Sequence, residues 1–444
     1  MDAKTTLPIP RKRWTRVLLC LLGLYVINFI DRNNLGFAVI GGMNQDLGIG
    51  TTESGLAGGL FFLGYIILQV PSGILVERFD ANRLIMVLSV AWGLVAIATG
   101  FVHDGTELLA LRFLLGLVDG AVWTSILVVL TRWFPESERG TSNGIWLLCL
   151  PLSFIVMGPL SGAILAFSDW RMLFIMEGIP AIILGVLYYF ISASRPEEAA
   201  WLAPAERDYI LEGRQSAGGG ASRADYRKAI FNGQVMLMSA VYCFWLIGAA
   251  GLFMWIPAII KSLSGRGITY TGYISTVPYV AAMIGLFVAG RISDRTRQRG
   301  YVVAASLLGL AVFLLLSVLV QNYLLSLIFL VCGGTFLFAP HAPFWAIPAQ
   351  SFPPKLRGAA MGTISLIGNV GAFIGPYAVG YVREATGSFT SGMLILVASL
   401  CVAAILASCI RAQPGAIRTG DHQPVQDSEE DGALDGEFEA VISQ

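Results

Sequence analysis

The sequence predicts an all-α membrane protein in which twelve transmembrane helices form two six-helix bundles. Three observations support this prediction: an apolar composition, twelve long hydrophobic segments, and a repeat that relates the two halves of the chain. Hydrophobic residues make up 55% of the 444 residues, charged residues only 13%, and the mean hydropathy is +0.70. Soluble domains are only about 45–50% apolar. The composition therefore excludes an ordinary soluble protein.

Twelve segments are long and apolar enough to cross the hydrocarbon core, which requires roughly 20 residues of helix. They lie at 17–40, 53–76, 84–102, 107–131, 140–166, 171–193, 234–258, 270–290, 300–319, 322–346, 358–382 and 388–410. Lys and Arg concentrate in the cytoplasmic loops of such proteins. With the N-terminus inside, 23 of the 29 Lys and Arg residues are cytoplasmic. We therefore expect a multi-pass protein of the cell (inner) membrane with both termini in the cytoplasm.

The two halves of the chain repeat one another at an offset of 217 residues. Gly73–Arg78 follows the second segment and recurs as Gly290–Arg295 after the eighth, while Gly158-Pro159 in the fifth recurs as Gly375-Pro376 in the eleventh. This offset covers six segments plus a loop, so both repeats have the same orientation. Parallel repeats of this kind form two bundles related by a pseudo-two-fold axis, with a site between them near the midplane.

The repeat and the composition together predict five regions. They are a basic cytoplasmic N-terminus at 1–16, an N-terminal six-helix bundle at 17–193, a cytoplasmic linker at 194–233, a C-terminal six-helix bundle at 234–411 and an acidic cytoplasmic tail at 412–444. The tail has few large apolar residues. Such a segment cannot bury a core, so the sequence predicts that it is disordered.

Ionisable residues within the apolar segments are the candidates for a functional site, because charges at membrane depth are costly. Asp31 and Arg32 are adjacent in the first segment, and Arg112 and Asp119 lie seven residues apart in the fourth. Neighbouring residues on a helix do not face each other, so Asp31 and Arg32 need partners elsewhere. Two helical turns place Arg112 and Asp119 on one face, at depths on either side of the pair. We expect a network in which Asp31 reaches Arg112 and Arg32 reaches Asp119.

The repeat and these motifs resemble a known family. Twelve segments in two halves with Gly-x-x-x-acid-Arg loops are similar to the major facilitator superfamily, and the resemblance covers about 10–411. Asp31-Arg32, Arg112–Asp119, Trp133-Phe134-Pro135 and Gly368-Asn369-x-Gly371 resemble, more narrowly, its anion:cation symporter family. That family includes proton-driven carriers of sugar acids, tartrate and aromatic carboxylates.

The resemblance implies a role for each of the four charges. Arg32 is similar to the family's carboxylate anchor, Asp31 and Asp119 to its two protonatable acids, and Arg112 to the basic partner on the fourth helix. One difference weakens the assignment of Asp119: the family usually has Glu followed by Ala where this chain has Asp119-Gly120. A purely structural charge cluster that locks the helices together is the alternative interpretation.

Three neutral residues are further candidates for substrate binding. Tyr65 and Gln69 share a helix face at i,i+4, and the resemblance places Tyr65 near the substrate, although a Tyr in the core is the alternative. Asn369 lies among glycines, where substrate contact and helix packing are both open. The cytoplasmic loops are expected to act as conformational latches through Gly73, Glu77, Arg78, Gly290, Asp294 and Arg295.

A positioned arginine beside acids suggests how transport could be coupled to protons. A carboxylate that competes for Arg32 leaves an acid without its cation, and such a buried acid binds a proton more readily. Anion binding and protonation then favour each other. We therefore expect a secondary active transporter that imports a small organic anion by proton symport and alternating access. Exchange or facilitated passage without protons and a transporter-like receptor are alternatives.

No enzyme is expected, because the sequence contains no His-Glu-x-x-His, Gly-x-Ser-x-Gly or phosphate-binding loop. The six cysteines lie in or at the ends of the apolar segments without metal-ligand spacing, as small core residues do. No metal, cofactor or nucleic acid is expected as a partner. The expected partners are the anion, protons and the lipid bilayer, and the carrier is expected to function as a monomer.

Overall fold

The structure, a computed structural model, describes residues 11–213, 227 and 230–410. Twelve helices in this part of the chain are long and apolar enough to cross a membrane, and it contains no β-strand. They are α1 Trp14–Asn33, α2 Thr51–Arg78, α3 Ala81–Thr99, α4 Gly105–Trp133, α5 Ser137–Phe167, α6 Trp170–Ile191, α7 Gly233–Ser264, α8 Ile268–Thr296, α9 Arg299–Leu319, α10 Tyr323–Ser351, α11 Pro354–Thr386 and α12 Phe389–Ser408. The predicted all-α membrane fold is confirmed. The acidic tail at 412–444 and the middle of the linker lie outside the described residues.

The helix contacts of the first half recur six helices later in the second. Helix α2 packs along α4 as α8 packs along α10, and α3 packs along α6 as α9 packs along α12. Likewise α1 packs on α5 and α7 packs on α11. Equivalent contacts at a constant shift of six helices are what a parallel duplication produces. The two halves are therefore two copies of one helix arrangement.

Local sequence signals set where several of these helices begin. Asp80, Asp104 and Asp169 precede α3, α4 and α6, and each side chain accepts a hydrogen bond from a backbone N–H of the first turn. Asn232 and Asn322 cap α7 and α10 in the same way. Capping satisfies amide groups that a helix end leaves without partners. Short polar residues between the apolar segments therefore set these boundaries.

Large apolar side chains cover the outside of the helix bundle. Phe190 on α6 is 76% exposed and Ile405 on α12 is 66% exposed, and Ile183 and Ile284 are also exposed. A continuous apolar surface of this extent is unfavourable in water and favourable against lipid. The exposed surface thus agrees with the bilayer expected from the sequence.

The halves meet along two helix pairs, α2 with α11 and α5 with α8. We name the side of the membrane on which α2 begins and α11 ends the distal side, and the side of the two chain ends the proximal side. On the distal side Thr51 Oγ1 donates to Gly380 O at 2.9 Å, and Lys261 Nζ donates to Ile40 O at 2.7 Å. These contacts hold the halves together on the distal side.

Glycines make the distal contact between α5 and α8 close. A Cβ atom at Gly272 would lie 2.5 Å from Gly158 O and 2.9 Å from the Cα of Gly162. No side chain fits such a space, because real Cβ atoms do not approach a carbonyl oxygen so closely. Small residues let membrane helices approach in this way. The two backbones therefore touch directly where the halves meet.

On the proximal side, the start of the chain and the linker pack against the N-terminal half. Arg13 is 0% exposed, and its Nη2 lies 2.7 Å from Glu138 Oε2, with its Nε 3.6 Å from Glu206 Oε1. Glu138 lies at the start of α5, and Glu206 lies in the linker helix Pro204–Glu212. Arg13 thus joins three separate pieces of chain.

Replacing Arg13 with alanine is expected to destabilise this packing by about 3 kcal/mol, because it leaves two acids without their buried cation. Burial raises the pKa of the Glu206 carboxyl, whereas Arg13 lowers it. Losing Arg13 therefore raises the pKa of Glu206 further, and a protonated Glu206 needs no cation. The defect should shrink as the pH falls, which thermal unfolding of the purified variant at several pH values would measure. The exposed Arg83→Ala is the control, and equal losses in both variants would contradict the prediction.

Candidate functional site

Arg32 on α1 and Asp119 on α4 face each other inside the N-terminal half. Arg32 Nη1 lies 3.4 Å from Asp119 Oδ2, and the side chains are 13% and 1% exposed. Charge-assisted hydrogen bonds are usually about 2.7–2.9 Å long. The distance of 3.4 Å between Arg32 and Asp119 is longer than this, so the ion pair is loose, and the Arg32 side chain remains partly exposed. The expected contact of Arg32 with Asp119 is therefore present in the structure.

Four aromatic rings surround the Arg32 guanidinium. We name them the aromatic cage: Phe29, Phe61, Phe62 and Tyr65. Their ring centroids lie 4.8–5.2 Å from the guanidinium carbon. A planar guanidinium is attracted to ring faces, and each such contact favours arginine over lysine. The cage therefore fixes Arg32 in place and leaves carboxylates as the natural partners for its N–H donors.

Close packing of α4 on α2 brings Asp119 to the cage. A Cβ atom at Gly116 would meet Phe61 O, and one at Gly120 would meet Tyr65 O. Both glycines therefore let the α4 backbone lie directly on α2. An alanine would not fit at position 120 in this packing, which gives a physical reason for the Asp119-Gly120 pair where the resembling family usually has Glu and Ala.

Asn34 joins the remaining charges. Its Oδ1 accepts a hydrogen bond from Arg112 Nη2 at 3.2 Å, and its Nδ2 donates to Asp31 Oδ1 at 3.2 Å and to Glu177 Oε2 at 2.6 Å. The orientation of the amide follows from these partners, because a flip would turn its N–H groups toward arginine. Asp31 and Arg112 are thus linked through Asn34 and not by the direct ion pair expected from the sequence.

Trp92 and Phe174 complete the surroundings of this junction. Trp92 Nε1 on α3 donates to Asp31 Oδ2 at 2.9 Å, and Trp92 is 1% exposed. The Arg112 guanidinium lies 5.0 Å from the ring centroid of Phe174 on α6. Among the described residues, Arg112 Nε has no hydrogen-bond partner. Arg112 is therefore buried with part of its donor capacity unused.

Glu177 on α6 is a buried acid that sequence reasoning missed. Its side chain is 3% exposed, and Ser161 Oγ on α5 donates to Glu177 Oε1 at 3.1 Å. Within the described part of the chain, no Lys or Arg nitrogen lies within 4.0 Å of the carboxylate. The signal was available, since Glu177 is an ionisable residue inside the predicted segment 171–193, the criterion that identified Asp31.

The predicted residues Gln69 and Asn369 come together across the two halves. Gln69 Nε2 on α2 donates to Ser365 Oγ on α11 at 2.9 Å, and Asn369 Nδ2 donates to Ser365 O at 2.8 Å. Ser365 was not identified from the sequence, because a serine in an apolar helix is ordinary. These three residues form a polar link between the halves, and Ser365 lies about four helical turns from the distal contact at Gly380 along α11.

Aromatic residues of the C-terminal half cluster near this link. Tyr242, Trp245, His341, Phe344 and Trp345 lie on α7 and α10, with neighbouring ring centroids 4.6–5.7 Å apart. Tyr242 also lies against Gly368 on α11. The C-terminal half thus adds aromatic rings to a site whose described charges, Asp31, Arg32, Arg112, Asp119 and Glu177, lie in the N-terminal half.

The latch residues are only partly described. The side chains of Gly73, Glu77 and Arg78 lie outside the described residues. Asp294 on α8 lies 4.0 Å from Arg299 on α9, so this acid contacts its own half. Gly290 is on α8, and Arg295 is exposed near its end. A latch function at these loops stays a prediction.

Comparison with known proteins identifies the family. The sequence profile of the Major Facilitator Superfamily matches residues 21–376 and 265–424. Two Agrobacterium vitis proteins named as tartrate transporters are each 32% identical to this chain; the matches cover 92% and 96% of this chain and 93% and 100% of theirs. Among solved structures, a bacterial homologue of the human lysosomal transporter Spinster in an inward-facing, occupied conformation is similar in fold, with a TM-score of 0.74. The match covers 90% of this chain and 97% of that one, at 14% sequence identity. The chain belongs to the Major Facilitator Superfamily and is a multi-pass membrane transporter, not an enzyme.

Proposed function

We propose that this transporter imports a small organic anion by proton symport through alternating access. The loose pair of Arg32 with Asp119 carries the proposal. A carboxylate of the substrate offers Arg32 a bidentate partner, which is a stronger contact than the single 3.4 Å approach of Asp119. The substrate can therefore displace Asp119 from Arg32.

Displacement of Asp119 links the anion to a proton. Asp119 is 1% exposed, and without a nearby cation a buried carboxylate is unfavourable in its charged form. Protonation of Asp119 relieves that cost. Bound substrate therefore raises the affinity of the transporter for the proton, and a bound proton raises its affinity for the substrate. Asp31 is proposed as the second protonatable acid. With substrate and proton bound, the halves then rock about the site, and its access changes from one side of the membrane to the other.

The chemistry of the site favours small hydroxylated or aromatic acids. The likeness to transporters named for tartrate supports a small hydroxy acid. Gln69, Ser365 and Asn369 offer hydroxyl partners between the halves, and the aromatic cluster of α7 and α10 offers ring faces. The distribution of Lys and Arg supports termini in the cytoplasm, so the distal side faces outward. We further propose that one chain suffices for transport.

Exchange of one anion for another is a second candidate. Asp31 accepts hydrogen bonds from Trp92 and Asn34, and these two contacts favour its charged form. A transporter that kept both acids charged would still bind anions at Arg32. It would exchange them without using a proton gradient.

Asp119→Asn is expected to abolish tartrate accumulation driven by a proton gradient and to keep tartrate exchange. The amide cannot take up a proton, yet it preserves the shape of the side chain. Radiolabelled tartrate uptake into proteoliposomes, with and without an imposed pH gradient, measures both activities. Asp31→Asn is expected to behave in the same direction.

The exposed linker variant Asp208→Asn is the control and should transport normally. If a pH gradient drives no uptake of tartrate, a hexuronic acid or an aromatic carboxylate by the unaltered protein, symport is rejected in favour of exchange. Loss of exchange as complete as loss of accumulation in Asp119→Asn would instead make this acid a structural or substrate-binding group.

A further inference from the structure

The buried charges around Asn34 and the aromatic cage do not balance. Three acids, Asp31, Asp119 and Glu177, lie among two arginines, Arg32 and Arg112, and apart from Arg32 each side chain is at most 3% exposed. A fully ionised cluster would carry one uncompensated negative charge in a poorly solvated interior. Such a charge is costly, and neutralisation by a proton is the usual outcome. One of the three acids therefore holds a proton.

The geometry narrows which acid it is. Arg32 is paired with Asp119, which removes both from the count. Among the described residues, Arg112 is then the one cation available to Asp31 and Glu177. It donates to Asn34, which lies between those two acids, and forms an ion pair within 4.0 Å with neither. The unassigned proton thus belongs to the pair formed by Asp31 and Glu177.

Asn34 donates a hydrogen bond to each of the two acids, at 3.2 Å to Asp31 and at 2.6 Å to Glu177. Its two Nδ2 hydrogens are directed to Asp31 Oδ1 and to Glu177 Oε2, while its Oδ1 faces Arg112. Each acid has one further neutral partner, Trp92 Nε1 on α3 for Asp31 and Ser161 Oγ on α5 for Glu177. Two carboxyls that share one bridging amide and one neighbouring cation are coupled, and coupled carboxyls titrate as a pair.

We propose that Asp31 and Glu177 share one proton, with Arg112 shifting toward whichever acid is charged, so that Glu177 is a third proton-binding residue of the transport cycle. This proposal rests on the proposed symport. The charged groups near Glu177 are Asp31 of α1 and Arg112 of α4, and the neutral Asn34 and Ser161 donate hydrogen bonds to it. Arg112 Nε has no hydrogen-bond partner in the described part of the chain, so this donor is available to whichever acid is charged.

The proposal predicts what removal of either acid does. In Glu177→Gln the competitor is gone, Arg112 pairs with Asp31, and Asp31 stays charged. In Asp31→Asn, Arg112 pairs with Glu177, and Glu177 becomes charged. Either variant therefore loses the shared proton. A Glu177 that is protonated only for structural reasons would keep its proton in Asp31→Asn.

Infrared spectroscopy of the purified transporter at neutral pH tests this directly. The unaltered protein should show a carbonyl stretching band of a buried protonated carboxyl, and the band should vanish in both Glu177→Gln and Asp31→Asn. Glu177→Asp, which keeps the acid, should retain the band at a shifted position. A band that persists in Asp31→Asn, or one that Glu177→Gln does not remove, would overturn the proposal.

Proton counting then connects the pair to transport. Proteoliposomes with Glu177→Gln should take up about one proton fewer per tartrate than those with the unaltered protein, because the variant lacks the shared proton, and gradient-driven uptake should fall roughly tenfold while exchange persists. Equal proton uptake in both proteins would overturn a role for Glu177 in the cycle. If the infrared band responds to the substitutions as expected but tartrate uptake carries no proton, symport is rejected and the proton shared by Asp31 and Glu177 still stands.

Discussion

Replacing Arg32 with lysine is expected to weaken tartrate binding roughly 10- to 100-fold and to stop transport. Hydrogen bonds to a charged group are worth about 1.5–3 kcal/mol, and an ammonium cannot reproduce the bidentate contact of a guanidinium. Lysine would also lose the stacking against the four rings of the aromatic cage, whose centroids lie 4.8–5.2 Å from the arginine. Charge alone would remain.

Thermal unfolding of the purified protein with increasing tartrate measures this change, because a ligand that binds the native state raises its melting temperature. Arg266→Lys is the matched control, since Arg266 is exposed on the distal side and lies over the ring of Tyr270. Equal melting shifts in Arg32→Lys and Arg266→Lys would mean that the anion is anchored elsewhere. Arg112 would then be the next arginine to replace.

Gly272→Leu is expected to abolish transport by keeping the distal side from closing. Its side chain would have to occupy the place of the α5 backbone, since even a Cβ would lie 2.5 Å from Gly158 O. Overpacking of this kind costs roughly 1–3 kcal/mol. That cost applies only when the halves touch, so it would shift the population away from the closed state by roughly 5- to 150-fold. Binding from the distal side should survive.

Gly267→Leu is the matched control in the same helix end, because a Cβ at Gly267 would meet nothing within 4 Å. A reporter cysteine at Met254, which lies beside Gly36 and Gly58 in the distal contact, should react faster with a membrane-impermeant thiol reagent in Gly272→Leu than in Gly267→Leu. Transport by Gly272→Leu at the rate of Gly267→Leu would show that closure between α5 and α8 is no part of the cycle.

Charges in apolar segments were predictable from the sequence because the membrane makes each of them costly. Asp31, Arg32, Arg112 and Asp119 were identified by that rule, and the structure places them in one region of the N-terminal half. Glu177 meets the same criterion, although it was not among the predicted residues. With Glu177 included, three buried acids lie near two arginines, and this excess of acids is visible only when all five residues are considered together.

Neutral contacts were not predictable in the same way. Asn34, Trp92 and Ser365 are unremarkable in an apolar helix, and their roles depend on which helices touch and at what height. Asn34 replaces the expected contact of Asp31 with Arg112 because it lies between them, directly after the end of α1 and before the short helix Leu35–Ile40. The repeat predicted the arrangement of helices, but side-chain partners depend on distances that only the packed structure provides.

The interruption of α1 at Asn34 has a mechanical consequence. Beyond it, the segment Leu35–Ile40 is attached to the opposite half, since Lys261 holds the Ile40 carbonyl and a Cβ at Gly36 would meet Met254 O. Before it, Asp31 is held within its own half by Trp92. We therefore expect a separation of the halves on the distal side to pull Leu35–Ile40 away from Asp31. Asn34 lies between them and would pass that movement to Asp31, Glu177 and Arg112, the three charged residues that it contacts.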